Sequence, residues 1–259
     1  MKIPFFDYPK LYKNYNKTID ISLKAVLEKG AFILQTELIQ FEETLASYCR
    51  VKHAIGVANG TDALWLSLMA VNIGKGDEVI VPSHTYIASP ASIKFVGAKP
   101  VLAECSEDHL IDPDKIESLI TSKTKAIMPV QLNGRTAQMD KLIKLASKYD
   151  LIIIEDSAQG LGSQFKGKMA GTFGLTGTYS FYPAKVLGCF GDGGAVVTNN
   201  DGIAKKIKLL RDHGRDDDGE IQTWGFNSRL DNIQAAILLA KMKSFPQELE
   251  RRREIANLY

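Results

Sequence analysis

Four aliphatic residues followed by two carboxylates, LIIIED at residues 151–156, form the stretch that decides the fold. Its three consecutive isoleucines do not alternate with polar residues, which is the pattern of a strand buried on both faces of a sheet. A second run of this kind, Val79-Ile80-Val81, occurs earlier in the chain. Such strands belong to parallel sheets that helices cover on both faces, so the two runs predict an α/β fold.

Short apolar runs alternate with helical patterns on both sides of that stretch. Strands are predicted over residues 53–58, 78–82, 100–104, 125–130, 151–155, 178–182 and 195–198. Helices are predicted over residues 61–71, 87–95, 113–120, 139–149, 203–213, 230–244 and 247–259. The glycine-rich segment between the fifth and sixth strands is expected to be a long excursion from the sheet. The alternation predicts three α/β/α layers with a mostly parallel sheet.

The composition is typical of a folded globular chain. Of the 259 residues, 45% are hydrophobic and 24% charged, and the net charge is +2, so we expect no nucleic-acid partner. The three cysteines and four histidines show neither disulfide nor metal-ligand spacing. No apolar run reaches the length of a membrane span, and the first residues do not form a signal peptide, so we expect no membrane contact and a cytoplasmic location.

Polar residues that follow predicted strands are candidates for a ligand site, because open parallel sheets bind ligands beyond the carboxyl ends of their strands. The first amides of the helix after Asn59-Gly60-Thr61 can hold a phosphate, although a simple helix cap is a commoner reason for this pattern. Tyr86 can stack on a planar ring or pack at the domain edge. Asp156 can pair with a protonated ring nitrogen or cap a helix.

A lysine after the sixth predicted strand adds a nucleophile. Lys185 precedes Val186-Leu187-Gly188, and apolar surroundings favour the neutral amine that a Schiff base needs, although a lone lysine is usually solvated surface. Ser180 and Gln159 can face the same ligand. The glycine-rich residues 191–194 match neither a Walker motif nor GxGxxG. An acid, an aromatic ring, helix amides, a hydroxyl and a lysine are together the parts of a pyridoxal-phosphate (PLP) site.

Six ordered blocks resemble the DegT/DnrJ/StrS family of sugar aminotransferases, which have the type I aminotransferase fold. The blocks are NGTDAL at 59–64, EDSAQG at 155–160, SFYPAK at 180–185, GDGGA at 191–195, LRDHG at 210–214 and NSRLD at 227–231. One stretch departs from the family. Many relatives carry His-Leu-Tyr-Gly where this chain has Gln131-Leu132-Asn133-Gly134, so substrate specificity does not carry over there.

The resemblance implies which residues would contact the cofactor ring. Lys185 would hold PLP as a Schiff base, and Asp156 would pair with the pyridine N–H so that the ring stays a good electron sink. Tyr86 would stack on the ring, and Gln159 would lie on or near it. The resemblance implies no metal ion.

The resemblance also implies how the phosphate is held. Gly60, Thr61 and Ser180 would bind the phosphate within one chain. Asn227 would reach the phosphate of the neighbouring subunit's cofactor, which implies a homodimer with a shared active site.

The implied reaction moves an amino group from an amino-acid donor, typically glutamate, to a keto group of a nucleotide-linked sugar, in pathways of polysaccharide or antibiotic glycosylation. Freed Lys185 would act as the base, and the kinetics would be ping-pong. Relatives that carry histidine in place of the lysine perform dehydration, and Lys185 counts against that reaction. Two alternatives stay open, another PLP enzyme of type I fold and a non-catalytic PLP-binding protein.

The resemblance divides the chain into two parts. Residues 1–243 would form the PLP-binding large domain with an N-terminal arm, and residues 244–259 would begin a small C-terminal domain. Because the family continues beyond this point, we expect a chain truncated at its C-terminus, which favours the non-catalytic alternative.

Overall fold

The structure is a computed structural model that describes residues 4–259. Eight α-helices occur in this range: α1 Tyr8–Lys29, α2 Thr36–Cys49, α3 Gly60–Ala70, α4 Ala88–Phe95, α5 Met139–Lys148, α6 Asp201–Arg211, α7 Asn232–Met242 and α8 Phe245–Ala256. The same range has nine strands: β1 His53–Val57, β2 Glu78–Pro82, β3 Lys99–Ala103, β4 Thr124–Ile127, β5 Ile152–Asp156, β6 Gln164–Phe165, β7 Lys168–Met169, β8 Thr176–Ser180 and β9 Gly194–Thr198.

Seven of these strands form the central sheet, in the order β1-β9-β8-β5-β4-β2-β3. The pairs β2–β3, β2–β4, β4–β5 and β5–β8 are parallel. Strand β9 lies between β1 and β8 and runs antiparallel to both. The predicted mostly parallel sheet is therefore confirmed, and β5, which lies within the stretch 151–156, is its central strand.

Helices cover both faces of the sheet, as its apolar strands require. Ile153 of β5 packs in a cluster with Leu142 of α5 on one face. The next residue, Ile154, packs in a different cluster with Leu64 of α3. Because successive side chains of a strand point to opposite faces, β5 is held between two helical layers. The predicted three-layer α/β/α architecture is confirmed.

The predicted helix over residues 113–120 is wrong. This segment forms two separate 3₁₀ helices, Pro113–Lys115 and Glu117–Leu119. Their backbone bonds span three residues, such as the 3.2 Å bond from the amide of Lys115 to the carbonyl of Asp112. The following amides also bond to the carbonyl three residues back, such as Leu119 to Ile116 at 2.9 Å, so the segment closes as tight single turns.

Other parts of the chain hold structure that the sequence pattern did not predict. Helix α1 has 22 residues but buries only Ile19 and Val26, so few buried positions mark it as a core helix. The glycine-rich excursion contains the short antiparallel pair β6–β7. Helix α8 ends at Ala256 and not at the predicted Tyr259. None of the helices within residues 4–259 is long and apolar enough to cross a membrane.

A buried ion pair ties α2 and α6 to β1. The Arg211 guanidinium pairs with the Glu42 carboxylate and also donates to the Gly56 carbonyl at 2.9 Å. The Gly56 amide donates to the same carboxylate at 2.7 Å. The two side chains are only 10% and 12% exposed, so neither charge has an adequate alternative partner in water.

Glu42→Gln should therefore lower the free energy of unfolding by about 3 kcal/mol, because it leaves the Arg211 charge buried without a counterion. Urea denaturation followed by circular dichroism measures this change. The control is Glu254→Gln, since Glu254 pairs with Arg251 where the side chains are 55% and 66% exposed. That control should change stability by less than about 1 kcal/mol. Equal losses in the two variants would contradict the assignment.

Candidate active site

Three elements meet at the carboxyl edge of the sheet. Asp156 ends β5 and lies opposite Thr178 on β8, two residues before Ser180 ends that strand. Gly60 begins α3 and touches Ser180 so closely that an added Cβ would lie 2.7 Å from the Cβ of the serine. A side chain at position 60 would displace Ser180, so this junction requires glycine.

The start of α3 is both a helix cap and a potential anion site. The Asn59 side chain accepts the amide of Asp62 at 2.8 Å, so the simpler interpretation of Asn59 as a cap is confirmed. The amides of Gly60 and Thr61 belong to the first turn, where a helix has no internal acceptor for them. These amides and the positive end of the helix dipole favour an anion beside Ser180.

The Asp156 carboxylate is buried and has two hydrogen-bond donors. Ser89 Oγ donates to its Oδ2 at 2.6 Å, and the amide of Ala158 donates to its Oδ1 at 3.1 Å. Burial raises the pKa of Asp156, while the serine, the amide and the positive charge of Lys185 oppose this rise. The residues that follow form turns and not a helix, so Asp156 is not the helix cap that was its alternative interpretation.

Lys185 lies half-buried in the loop after β8, where its amide donates to the Tyr182 carbonyl at 2.8 Å. Burial lowers the pKa of its amine, and the carboxylate of Asp156 opposes that shift. The two side chains therefore lie close enough for each charge to act on the other. A partly desolvated amine beside a buried acid has the electrostatic setting of a nucleophilic lysine.

Tyr86 and Gln159 lie on loops that adjoin this edge. Tyr86 is 71% exposed between β2 and α4, and its carbonyl accepts the amide of Ser89 at 3.1 Å. The Gln159 carboxamide accepts the amide of Asn133 at 2.9 Å and so holds the turn that departs from the family pattern. Gln131, which begins that turn, is fully buried and donates to Glu155 at 2.8 Å, so it does not face a ligand.

Asn227 lies in the segment between α6 and α7. It is exposed and forms an isolated antiparallel bridge with Asp212. The next residue, Ser228, donates to the Asp62 carboxylate at 2.6 Å, which attaches this segment to the first turn of α3. Within residues 4–259, the Asn227 side chain forms no hydrogen bond with the other site residues.

One residue of the site escaped the sequence analysis. Ser89 was placed only within a helix, because a serine among apolar residues at helical spacing has no distinguishing pattern. The available signal was its position at the start of the helix that follows β2, at the carboxyl edge of the sheet. Within the range 4–259, no cluster of three or more His, Cys, Asp or Glu side chains has a metal-binding arrangement.

Comparison with known proteins identifies the family. Residues 14–259 match the model of the DegT/DnrJ/EryC1/StrS aminotransferase family. The chain belongs to this family and is an aminotransferase. The family suggested by the six sequence blocks is therefore confirmed.

Individual relatives cover the whole chain. It is 43% identical over 259 residues to the dTDP-3-amino-3,4,6-trideoxy-alpha-D-glucose transaminase of Streptomyces venezuelae, spanning 100% of this chain and 68% of that protein. It is 41% identical to the UDP-2-acetamido-2-deoxy-3-oxo-D-glucuronate aminotransferase of Pseudomonas aeruginosa, spanning 99% of this chain and 72% of that protein. The crystal structure of a DegT DnrJ EryC1 StrS aminotransferase from Brucella abortus superposes with a TM-score of 0.96 at 37% identity, covering 100% of this chain and 72% of that one.

The electrostatic setting of Lys185 predicts its reactivity in the cofactor-free protein. Because its pKa is lowered, a larger share of the amine is neutral at a given pH, so Lys185 should acetylate at lower pH than lysine in a short peptide. Asp156→Asn removes the opposing charge and should move the curve to still lower pH. Trace labelling with acetic anhydride across a pH series, read by mass spectrometry, measures both curves. If Lys185 acetylates only at the same pH as the peptide lysine, or at a higher pH, the assignment is wrong.

Proposed function

We propose that this aminotransferase uses pyridoxal 5'-phosphate to move an amino group from an amino acid, glutamate, to a keto group of a nucleotide-linked sugar. The observation that carries the proposal is the placement of the buried Asp156 carboxylate at the end of β5 and of the half-buried Lys185 in the loop after the adjacent strand β8. The two named relatives, a dTDP-sugar and a UDP-sugar aminotransferase, support the substrate class.

The residues at the sheet edge fit the three functional ends of PLP. The phosphate suits the amides of Gly60 and Thr61 and the hydroxyl of Ser180, whose oxygen accepts the amide of Tyr182 only at the long distance of 3.4 Å. The protonated pyridine nitrogen suits the Asp156 carboxylate, which has one donor on each oxygen and lone pairs to spare. The aldehyde suits the Lys185 amine.

When bound, PLP withdraws electrons from the α-carbon of the amino acid joined to it. Lys185 would hold the aldehyde end of the cofactor, and its amine would act as the base that takes the proton from the α-carbon of the donor. Asp156 would keep the ring nitrogen protonated, and Tyr86 and Gln159 would orient the ring. Because donor and sugar occupy the same site in turn, the kinetics are ping-pong.

The proposal includes a second copy of the chain. Asn227 is exposed, and Trp224 in the same segment is 93% exposed, which is an unusual position for so large an apolar side chain. Burial against a two-fold partner would remove this surface from water and bring Asn227 to the phosphate of the partner's cofactor. Each active site would then contain Lys185 of one chain and Asn227 of the other.

Borohydride reduction tests which lysine carries the cofactor. After incubation with PLP, reduction should leave a stable adduct on the peptide that contains Lys185, and glutamate added before reduction should prevent it. Lys241 is an internal control, because burial lowers its pKa to about 8 but its amine donates to the Gly188 carbonyl. Lys185→Arg keeps a positive charge and should abolish the adduct. An adduct at Lys241, or none in the unmodified chain, would refute the proposal.

Mixed dimers test the shared site. Lys185→Ala and Asn227→Asp should each inactivate the homodimer, the second because its carboxylate repels the phosphate. In a heterodimer one site carries both defects and the other carries neither. Random mixing makes about half of the dimers hetero, so roughly a quarter of the original activity should return. Mass spectrometry must show that heterodimers form, and no recovery in their presence would contradict a role of Asn227 across the interface.

A further inference from the structure

Two hydroxyl groups form a chain of hydrogen bonds that ends at the Asp156 carboxylate. Ser89 of α4 is fully buried, and its Oγ lies 2.6 Å from Asp156 Oδ2. Thr85, in the loop before α4, places its Oγ1 2.7 Å from Ser89 Oγ. None of the roles assigned above belongs to either hydroxyl, yet Ser89 contacts the acid at the centre of the site directly and Thr85 contacts it through Ser89.

The direction of the hydrogen bonds follows from proton counting. A carboxylate only accepts, so the single hydroxyl proton of Ser89 points to Asp156. The competing acceptor, the Tyr86 carbonyl, lies farther away at 3.3 Å. Because its single proton lies in the bond to Asp156, the Ser89 hydroxyl can only accept from Thr85. Thr85 is therefore the donor in the second bond. The chain of donors therefore runs from Thr85 through Ser89 to Asp156, and each bond polarises the next one.

The carboxylate depends on these donors because it has few others. The amide of Ala158 serves Oδ1, and Lys185 is the charged side chain that acts on Asp156 from the loop after β8. The neighbouring Glu155 carboxylate is held separately by the amides of Gly171 and Gly174, each at 2.8 Å. Ser89 is the donor to Oδ2, so its loss would take a charge-assisted hydrogen bond, stronger than one between neutral groups, from a buried carboxylate.

We propose that Ser89, supported by Thr85, is a positioning residue that holds the Asp156 carboxylate as an anion aimed at the ring nitrogen of the cofactor. That the Asp156 carboxylate faces the ring nitrogen rests on the proposed function. That Ser89 fixes the position and charge of the carboxylate does not. An anionic acid leaves the shared proton on the ring nitrogen, where it makes the ring a strong electron sink. A neutral acid would keep that proton and weaken the sink.

The first test uses the cofactor-free protein. Carbon-13 NMR of labelled aspartate carboxyls, with the Asp156 signal identified by its loss in Asp156→Asn, follows the ionisation of this acid with pH. Ser89→Ala should lower the acid dissociation constant of Asp156 about ten-fold, because the variant removes a hydrogen bond that stabilises the charged form of the carboxyl group. Ser67→Ala is the matched control, since Ser67 is equally buried but donates to the Ala63 carbonyl at 2.7 Å. An unchanged Asp156 titration in Ser89→Ala overturns the inference.

A second pair of variants keeps the test open if Ser89→Ala does not fold. Thr85→Val removes the outer hydroxyl with little change of shape, and Thr85→Ser keeps it. Thr85→Val should move the Asp156 titration in the same direction by a smaller amount, while Thr85→Ser should match the original protein. A merely structural role would give equal effects in the two variants, and that result would overturn the role of the chain of hydroxyls.

The PLP-loaded protein gives a spectroscopic readout. The visible band of the cofactor joined to Lys185 changes with pH as the imine nitrogen gains its proton. Loss of positive charge on the ring makes that nitrogen more basic, so Ser89→Ala should move the transition to higher pH and weaken PLP binding about ten-fold. If the original protein shows no band, the proposed function and the aim of Asp156 fail together. If it shows the band and Ser89→Ala leaves the transition unchanged, the inference alone fails.

Discussion

The carboxylate of Asp156 is buried at the end of the central strand, and its burial determines what the neighbouring elements must supply. An isolated charge in the interior is costly, and burial alone raises the pKa of this acid. Three separate elements offset that cost: a hydroxyl from α4, an amide from the turn after β5 and the positive charge of Lys185 from the loop after β8. The strand order brings α4 and the loop after β8 to this carboxylate, whereas the amide of Ala158 lies only two residues along the chain.

Two adjacent carboxylates at this strand end have opposite roles for a simple geometric reason. Glu155 and Asp156 point to opposite faces of β5. Glu155 is fully buried and accepts four donors, which are the amides of Gly171, Phe173 and Gly174 and the carboxamide of Gln131. Such saturation leaves no capacity for a ligand. Asp156 accepts only two, so it retains the lone pairs that a cofactor nitrogen requires.

The sequence predicts best what local chemistry determines. Elements that are buried on all sides have a continuous hydrophobic sequence and can therefore be predicted. The strands β2 and β5 and the helix α3 are of this kind. The antiparallel position of β9 could not be predicted, because pairing between strands distant in sequence leaves no local signal. Helix α1 was missed for a related reason, as it buries only two residues along its length.

The candidate site shows the same division. Asp156 and Lys185 follow strands directly, so their location at the carboxyl edge was predictable from the alternation of elements. The bond from Ser89 to Asp156 spans 67 positions and joins two different helix-and-strand units, so no spacing rule reveals it. The contact of Gly60 with Ser180 likewise appears in sequence only as an unremarkable glycine at a helix start.

The arrangement of charge also fixes the direction in which a dipolar cofactor can enter. The positive start of α3 lies beside Ser180, while the negative carboxylate of Asp156 ends the adjacent strand. A molecule with a phosphate at one end and a protonated ring nitrogen at the other has one favourable orientation between them. The reverse orientation would place phosphate against carboxylate and cation against the helix start, and like charges repel in both places. For the proposed cofactor, the charges at the end of β5 and at the start of α3 would therefore set its direction, and the Lys185 amine would not have to do so.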